Sequence, residues 1–256
     1  MWMLSTARAE LHFFSDPSAV PGGYCILSHT WFGQEQSFQE IQDISRACAP
    51  DNTNPRDSVS EKIRKCCLKA EEYDLDWIWI DSCCIDKTSS TELSEAINSM
   101  FSWYVLAEVC FVFLEDVPVD DDFYAEDSAF RRARWHRRGW TLQELLAPAF
   151  MIFFSKEWER IGTKQDLARL LDEVTGVALP FLVRDLSFLD DASVSERMHW
   201  ASRRNTTRVE DEAYCLLGIF DIKMTTLYGE GQQAFRRLQQ EIVKRSPSET
   251  SILSWG

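Results

Sequence analysis

No stretch of this sequence approaches the roughly 20 apolar residues that cross a bilayer as a helix. The N-terminus also lacks the basic region and apolar run of a secretory leader. The common cofactor and hydrolase signatures are missing: there is no GxGxxG, P-loop, GxSxG or HExxH. Histidine is scarce, and no CxxC or CxxH spacing offers zinc a ligand set, so no metal is expected. Positive charge is in deficit, with 27 Lys and Arg against 41 Asp and Glu and a formal net charge of -14. Such a chain lacks the basic face that neutralises phosphates along a polymer, which excludes general nucleic-acid binding. A small anion on a local basic cluster stays open. Together these absences predict a soluble, cytoplasmic protein that makes no use of a membrane.

What is present points to a sizeable core. Hydrophobic residues make up 45% of the 256 positions and aromatic residues 12%, which argues against disorder. The eight cysteines include the adjacent pairs Cys66-Cys67 and Cys83-Cys84. Without a leader they read as reduced, buried thiols, and Cys83 and Cys84 as packing residues with no histidine partner nearby.

Periodicity assigns the elements. Trp2-Met3-Leu4 and Glu10 to Phe14 read as two short strands around a turn. Compact apolar runs at Tyr24 to His29, Trp77 to Asp81, Cys110 to Leu114 and Phe150 to Phe154 read as buried parallel strands. Helical patterns lie between them at Phe38 to Cys48, Val59 to Tyr73 and Thr91 to Ala107, and a further helix is expected within Arg137 to Pro148, with Gly139 serving its start and Pro148 just beyond its end. Strand alternating with helix predicts an α/β fold: a parallel sheet flanked by helices, with an N-terminal β-hairpin. After Trp158 the pattern becomes helical, with Lys164 to Val174, Ser193 to Arg203, Glu210 to Phe220 and Gln233 to Lys244 as candidates. No long linker separates the halves. Residues 1–256 are therefore expected to form one domain, a 1–160 core with a 161–256 helical extension packed on it.

In open parallel sheets ligands sit beyond the carboxyl ends of the strands, which is where Ser28, His29, Trp31, Asp81 and Ser82 fall. His29 can equally be a structural strand-end residue, and Asp81 can orient a ligand hydroxyl or cap its own turn. Trp140 and Glu144 stand four apart on the expected helix and share a face, with Leu142, Leu145 and Leu146 as its buried stripe. A carboxylate beside an aromatic ring suits a cationic ligand. The plainer alternative is a core Trp next to a solvated Glu paired with Arg137 or Arg138. The arginines from Arg131 to Arg138 can meet a pyrophosphate or neutralise the acids from Asp120 to Asp127. Tyr228-Gly229-Glu230-Gly231 reads as a turn with a backbone need for glycine, and Glu230 as a supporting carboxylate at most.

Five ordered motifs resemble one family. They are Tyr24-Cys25-Ile26-Leu27-Ser28-His29-Thr30-Trp31, Trp79-Ile80-Asp81-Ser82-Cys83-Cys84-Ile85-Asp86-Lys87, Arg138-Gly139-Trp140-Thr141-Leu142-Gln143-Glu144-Leu145, Arg203-Arg204-Asn205-Thr206-Thr207-Arg208-Val209-Glu210-Asp211 and Tyr228-Gly229-Glu230-Gly231. Over nearly the whole chain they resemble the heterokaryon-incompatibility (HET) domain of filamentous fungi, with Phe32 departing from the glycine usual after Trp31. The resemblance implies a role in self/non-self recognition and induced cell death. It also implies a place in a longer receptor, continuing past Ser251 to Gly256 into a nucleotide-binding module. A remoter similarity to TIR domains implies a TIR- or flavodoxin-like sheet and, by position, Glu144 as catalytic carboxylate with Trp140 beside it. Ser28, His29, Trp31, Asp81, Ser82 and Arg138 would then line the substrate cleft. The implied activity is NAD+ glycohydrolysis on self-association, with NAD+ or a related nucleotide as substrate and no resident cofactor. A non-enzymatic homotypic signalling scaffold, or a hydrolase of another nucleoside or nucleotide glycosidic bond, remain the alternatives.

Overall fold

The computed structural model describes residues 1–183 and 186–245. Its chain starts with a hairpin, β1 (Trp2–Ser5) and β2 (Leu11–Phe13), paired antiparallel with Met3 opposite His12. Then come β3 (Cys25–His29), α1 (Phe38–Cys48), α2 (Glu61–Glu71), β4 (Trp77–Ile80), α3 (Ser90–Leu106) and β5 (Val109–Phe113). A short α4 (Ala129–Arg132) and α5 (Thr141–Leu146) precede β6 (Met151–Phe154) and β7 (Arg160–Thr163). The remaining described α-helices are α6 (Ala168–Thr175), α7 (Leu179–Val183), α8 (Val194–Ser202), α9 (Asp211–Tyr214) and α10 (Gln233–Arg245).

All seven strands form one sheet in the order β2-β1-β4-β3-β5-β6-β7. The four central strands β4, β3, β5 and β6 run parallel, whereas β1 and β7 join antiparallel at either side. Burial explains which strands took the centre. Every residue of β3, β5 and β6 is buried, as a strand covered by helices on both faces requires. Numbered among themselves, the parallel strands read second, first, third, fourth, which is the flavodoxin-like order. That order reverses direction between β3 and β5, so a crevice is expected at their carboxyl ends.

The helices start where side chains can satisfy their free N–H groups. Ser37 and Glu40 form a reciprocal capping box on α1, and Ser60 and Ser89 cap α2 and α3. Asp121 does the same for α4 by accepting from the backbone N–H of Ala129 and Phe130.

Several local expectations are corrected. The helix expected from Gly139 to just before Pro148 is found as α5, which starts two residues later. Arg134 to Arg137 form a 3-10 turn, and Arg138 is extended because it bridges to Asn205. The stretch from Glu210 to Phe220 is helical only over α9 and continues as tight turns. Gly218 marks the reason: a Cβ there would sit 2.1 Å from Cβ of Phe101, so α3 presses directly on this backbone. The helix expected from Lys164 begins only at Ala168, and β7 was not anticipated. Ser251 to Gly256 lie outside the described residues.

The C-terminal half is tied to the sheet half by specific bonds. Asn98 of α3 donates to the carbonyl of Met224 at 3.1 Å and accepts from its N–H at 3.0 Å. Gly139 N–H donates to Asn205 O at 2.9 Å, and Asn205 N–H returns to Arg137 O at 2.7 Å. Among the described residues, no helix is long and apolar enough to cross a membrane.

Candidate functional site

A cavity of about 340 Å³ opens at the carboxyl ends of the parallel strands. His29 and Asp81 reach it from the ends of β3 and β4, Glu144 from α5, and Arg208, Asp211 and Tyr228 from the C-terminal half. Apolar side chains of α3, including Leu93, Ile97 and Met100, form one wall.

Glu144 lies at the floor, 6% exposed. Its Oε2 accepts a short hydrogen bond from Ser28 Oγ. Trp135 Nε1 is only a donor and gives its hydrogen to Ser28 Oγ at 2.7 Å, so the serine's own proton is free to point at the carboxyl. Burial pushes the Glu144 carboxyl up to about 8. The Asp81 charge adds to the rise, while Ser28, the nearby Tyr104 hydroxyl and the Arg204 charge oppose it. The solvated Glu paired with Arg137 or Arg138 is thereby ruled out. Leu142, Leu145 and Leu146 are buried as expected and hold α5 in place. Below them, buried Lys164 donates to the carbonyls of Leu145 and Pro148 at the end of α5, at 3.3 and 2.6 Å. Burial lowers its ammonium to about 8.

Asp81 is the second carboxylate. It accepts from Trp31 Nε1 at 2.9 Å and contacts His29 Nε2 at 2.9 Å. Lys62 Nζ, which can only donate, approaches His29 Nδ1 at 3.2 Å. Nδ1 must therefore accept, and the ring carries its proton on Nε2 and gives it to Asp81. Burial would raise the Asp81 carboxyl, yet the bonds from His29 and Trp31 and the Lys87 charge hold it below its ordinary value. These two carboxyls of the cavity thus stand in opposite states, Glu144 favouring its proton and Asp81 its charge.

Of the other expected residues, Trp140 and Arg138 line the cavity, and Arg138 donates to Thr207 Oγ1 at 2.6 Å. Trp31 stands at the mouth, with Lys87 Nζ 4.7 Å from its ring centre. Ser82 does not line the cavity: its side chain is buried and only its carbonyl is used, accepting from Lys87 Nζ at 2.7 Å. The arginines before α5 neither gather into one anion site nor neutralise the Asp120 to Asp127 loop. Arg131 pairs with Glu173 and Arg134 with Asp116 instead. Cys83 and Cys84 are buried packing residues, and Glu230 accepts from Tyr214 and pairs with Arg237.

Sequence reasoning missed the far wall. Asp211 accepts from the Tyr228 hydroxyl at 2.8 Å, and burial raises its carboxyl against the pull of Tyr228, Trp140, Arg138 and Arg208. Arg208 stacks 4.5 Å over the Tyr228 ring. The turn that carries Tyr228 is pinned by Glu210, whose Oε1 accepts from the N–H groups of Gly229 and Gly231 at 2.7 and 3.0 Å. Both glycines have positive φ, which is why the motif needs them. The signal was present in those two motifs, but nothing local revealed that they face Glu144.

Comparison with known proteins bears on these same segments. The sequence profile of the family described as heterokaryon incompatibility protein (HET) matches residues 24–125, covering β3 to β5 with His29, Trp31 and Asp81. The chain is also similar to the vegetative incompatibility protein HET-E-1 of Podospora anserina, 46% identical over 235 residues. That alignment covers 89% of this chain but 17% of the relative, so the chain spans a small part of the relative's length. No solved structure matches.

Proposed function

This chain carries a heterokaryon-incompatibility domain, and from that premise we infer that it is a cell-death effector of fungal self/non-self recognition that hydrolyses the nicotinamide–ribose bond of NAD+ when copies associate. The observation that carries this reading is the Glu144 carboxyl, oriented by Ser28 at the floor of the strand-end cavity with Trp140 beside it.

The chemistry asks for one carboxylate. The bond between ribose C1′ and the pyridinium nitrogen breaks with its electron pair leaving on nicotinamide, which departs neutral and needs no acid. Positive charge develops on the ribose, water adds to C1′ and a proton is released. Ionised Glu144 stabilises that charge and can take the proton. Near neutral pH the free protein holds most of Glu144 protonated, since its value stands at about 8. A pyridinium cation placed against it favours the charged form, so binding of the substrate arms the group. Asp81 and Asp211 suit ribose hydroxyls, and Lys87, Arg138 and Arg208 suit the pyrophosphate. At about 340 Å³ the cavity is small for a ligand cleft, so the nicotinamide ribose is the part it encloses.

A scaffold reading has its own support. Trp31, at the mouth, and the adjacent Phe32 are 46% and 58% exposed, an aromatic pair suited to contact between copies. Incubating clustered protein with NAD+ and resolving the products separates the readings. Nicotinamide and ADP-ribose in equal amounts support the glycohydrolase. Intact NAD+ with cleavage of another nucleotide supports the related hydrolase, and no cleavage of either supports the scaffold.

A further inference from the structure

Behind the same cavity lies a second one of about 370 Å³, and the two share a wall. The wall is the pairing of Arg137 to Gly139 with Asn205. Arg138 is extended, with φ -79° and ψ 135°, and in extended backbone consecutive side chains point to opposite sides. Arg138 therefore enters the first cavity and Arg137 the second. On the opposite segment Arg203, Arg204 and Asn205 line the second cavity, while Thr207 and Arg208 line the first.

The second cavity is cationic. Three guanidiniums line it and no carboxylate does; the nearby Glu173 is turned away to Arg131 at 2.7 Å. Helices α6 and α8 end here and each contributes about half a negative charge, so together they offset only about one of the three positive charges. Its floor holds unused donors. His136 is 4% exposed, and neither ring nitrogen has a hydrogen-bond partner. Arg204 gives Nη1 to Arg138 O and Thr141 Oγ1 at 3.1 and 2.9 Å, but its buried Nε and Nη2 have no partner. Buried donors left unmade are costly, and more so when charged, so such groups are rarely retained without a use. Burial, then the Arg204 charge, lowers His136 to about 3, opposed by a Phe130 carbonyl that lies outside hydrogen-bond geometry. The ring is thus neutral and has one N–H to give. Arg137 and Arg203 are exposed and free of acidic partners among the described residues, and they flank the entrance.

We propose that this second cavity binds the phosphate group of a small phosphate-bearing ligand, with Arg204 and His136 donating from the floor and Arg137 and Arg203 closing over it. Guanidinium forks match phosphate oxygens in geometry and charge. The site stands apart from the reading of the first cavity and does not depend on it.

The test is calorimetric titration of the full chain with inorganic phosphate and with pyrophosphate, in chloride of matched ionic strength, with the histidine ring nitrogens followed by NMR. Saturable binding with a Kd at or below about 1 mM is expected for at least one of the two. A His136 ring signal should move along the same isotherm. The double variant Arg137→Gln/Arg203→Gln changes only exposed side chains and should bind about tenfold or more weakly. Arg169→Gln, an exposed arginine that lines neither cavity, should bind as the unaltered protein does. No saturable binding that moves the His136 signal, with either anion, overturns the proposal. So does a loss in Arg169→Gln equal to or larger than that in the double variant, which would reduce the binding to general charge.

Discussion

Replacing Glu144 by Gln should make the protein more stable, by an amount that depends on pH. The native carboxyl stands at about 8 against about 4.5 in the unfolded chain, because burial disfavours its charge. Below about pH 4.5 both states hold the proton and the group contributes nothing to the pH dependence. Between about 4.5 and 8 the unfolded chain ionises while the native state does not, so stability falls by about 1.4 kcal/mol per pH unit. The loss reaches roughly 3 kcal/mol at pH 7 and levels off near 5 above pH 8. Gln cannot ionise; its carbonyl can still accept from Ser28, and its amide can give a hydrogen to the Tyr104 hydroxyl. At 2–4 °C per kcal/mol for a chain of about this length, Glu144→Gln should raise Tm by roughly 5 °C or more near pH 8 and leave it unchanged near pH 4. Unfolding of both proteins across that range is the assay. A gap that does not widen with pH, or a Gln variant less stable at pH 8, refutes the burial argument. A destabilising carboxyl kept in a cavity is what a functional group looks like.

Three further outcomes follow from the same geometry. Ser28→Ala leaves the Trp135 indole N–H buried without its acceptor and should cost about 1–3 kcal/mol in chemical unfolding, while raising the Glu144 value further. Asp81→Asn keeps the fold and one acceptor oxygen, but it removes the charge and one of the two bonds that Asp81 makes to Trp31 and His29. Its NAD+ cleavage should fall by about tenfold or more with Tm within a few degrees, and unaltered turnover would remove Asp81 from the site. A chain cut after Thr163 should aggregate, because it loses the groups that cover α3 and the Arg137 to Gly139 wall. A soluble, cooperatively unfolding fragment would show two independent domains instead.

The central strands were legible because burial on both faces writes them as unbroken apolar runs, as in Cys25 to His29 and Val109 to Phe113. Glu144 was legible from a motif. Its environment was not: Ser28 is 116 residues away, and only the sheet order sets β3 beside the loop that leads to α5. The same distance hid Asp211, Arg208 and Tyr228. Their side chains look like any solvated charge or turn aromatic until the C-terminal half folds over α3. Helix ends failed for a local reason. Nothing between Glu210 and Phe220 announces that Phe101 presses on Gly218 and ends the helix early, and the Arg160 to Thr163 strand is short and half exposed.

The most direct test of the central claim follows NAD+ and viability together in cells expressing either the unaltered chain or Glu144→Gln at equal abundance, each fused to the same clustering module. Loss of a preorganised charge-stabilising group typically lowers a rate by about a hundredfold or more. The account predicts that the unaltered chain depletes NAD+ before the cells die, and that Glu144→Gln, although clustered and more stable, does neither. Full killing by Glu144→Gln, or killing by the unaltered chain with NAD+ undiminished, would contradict it.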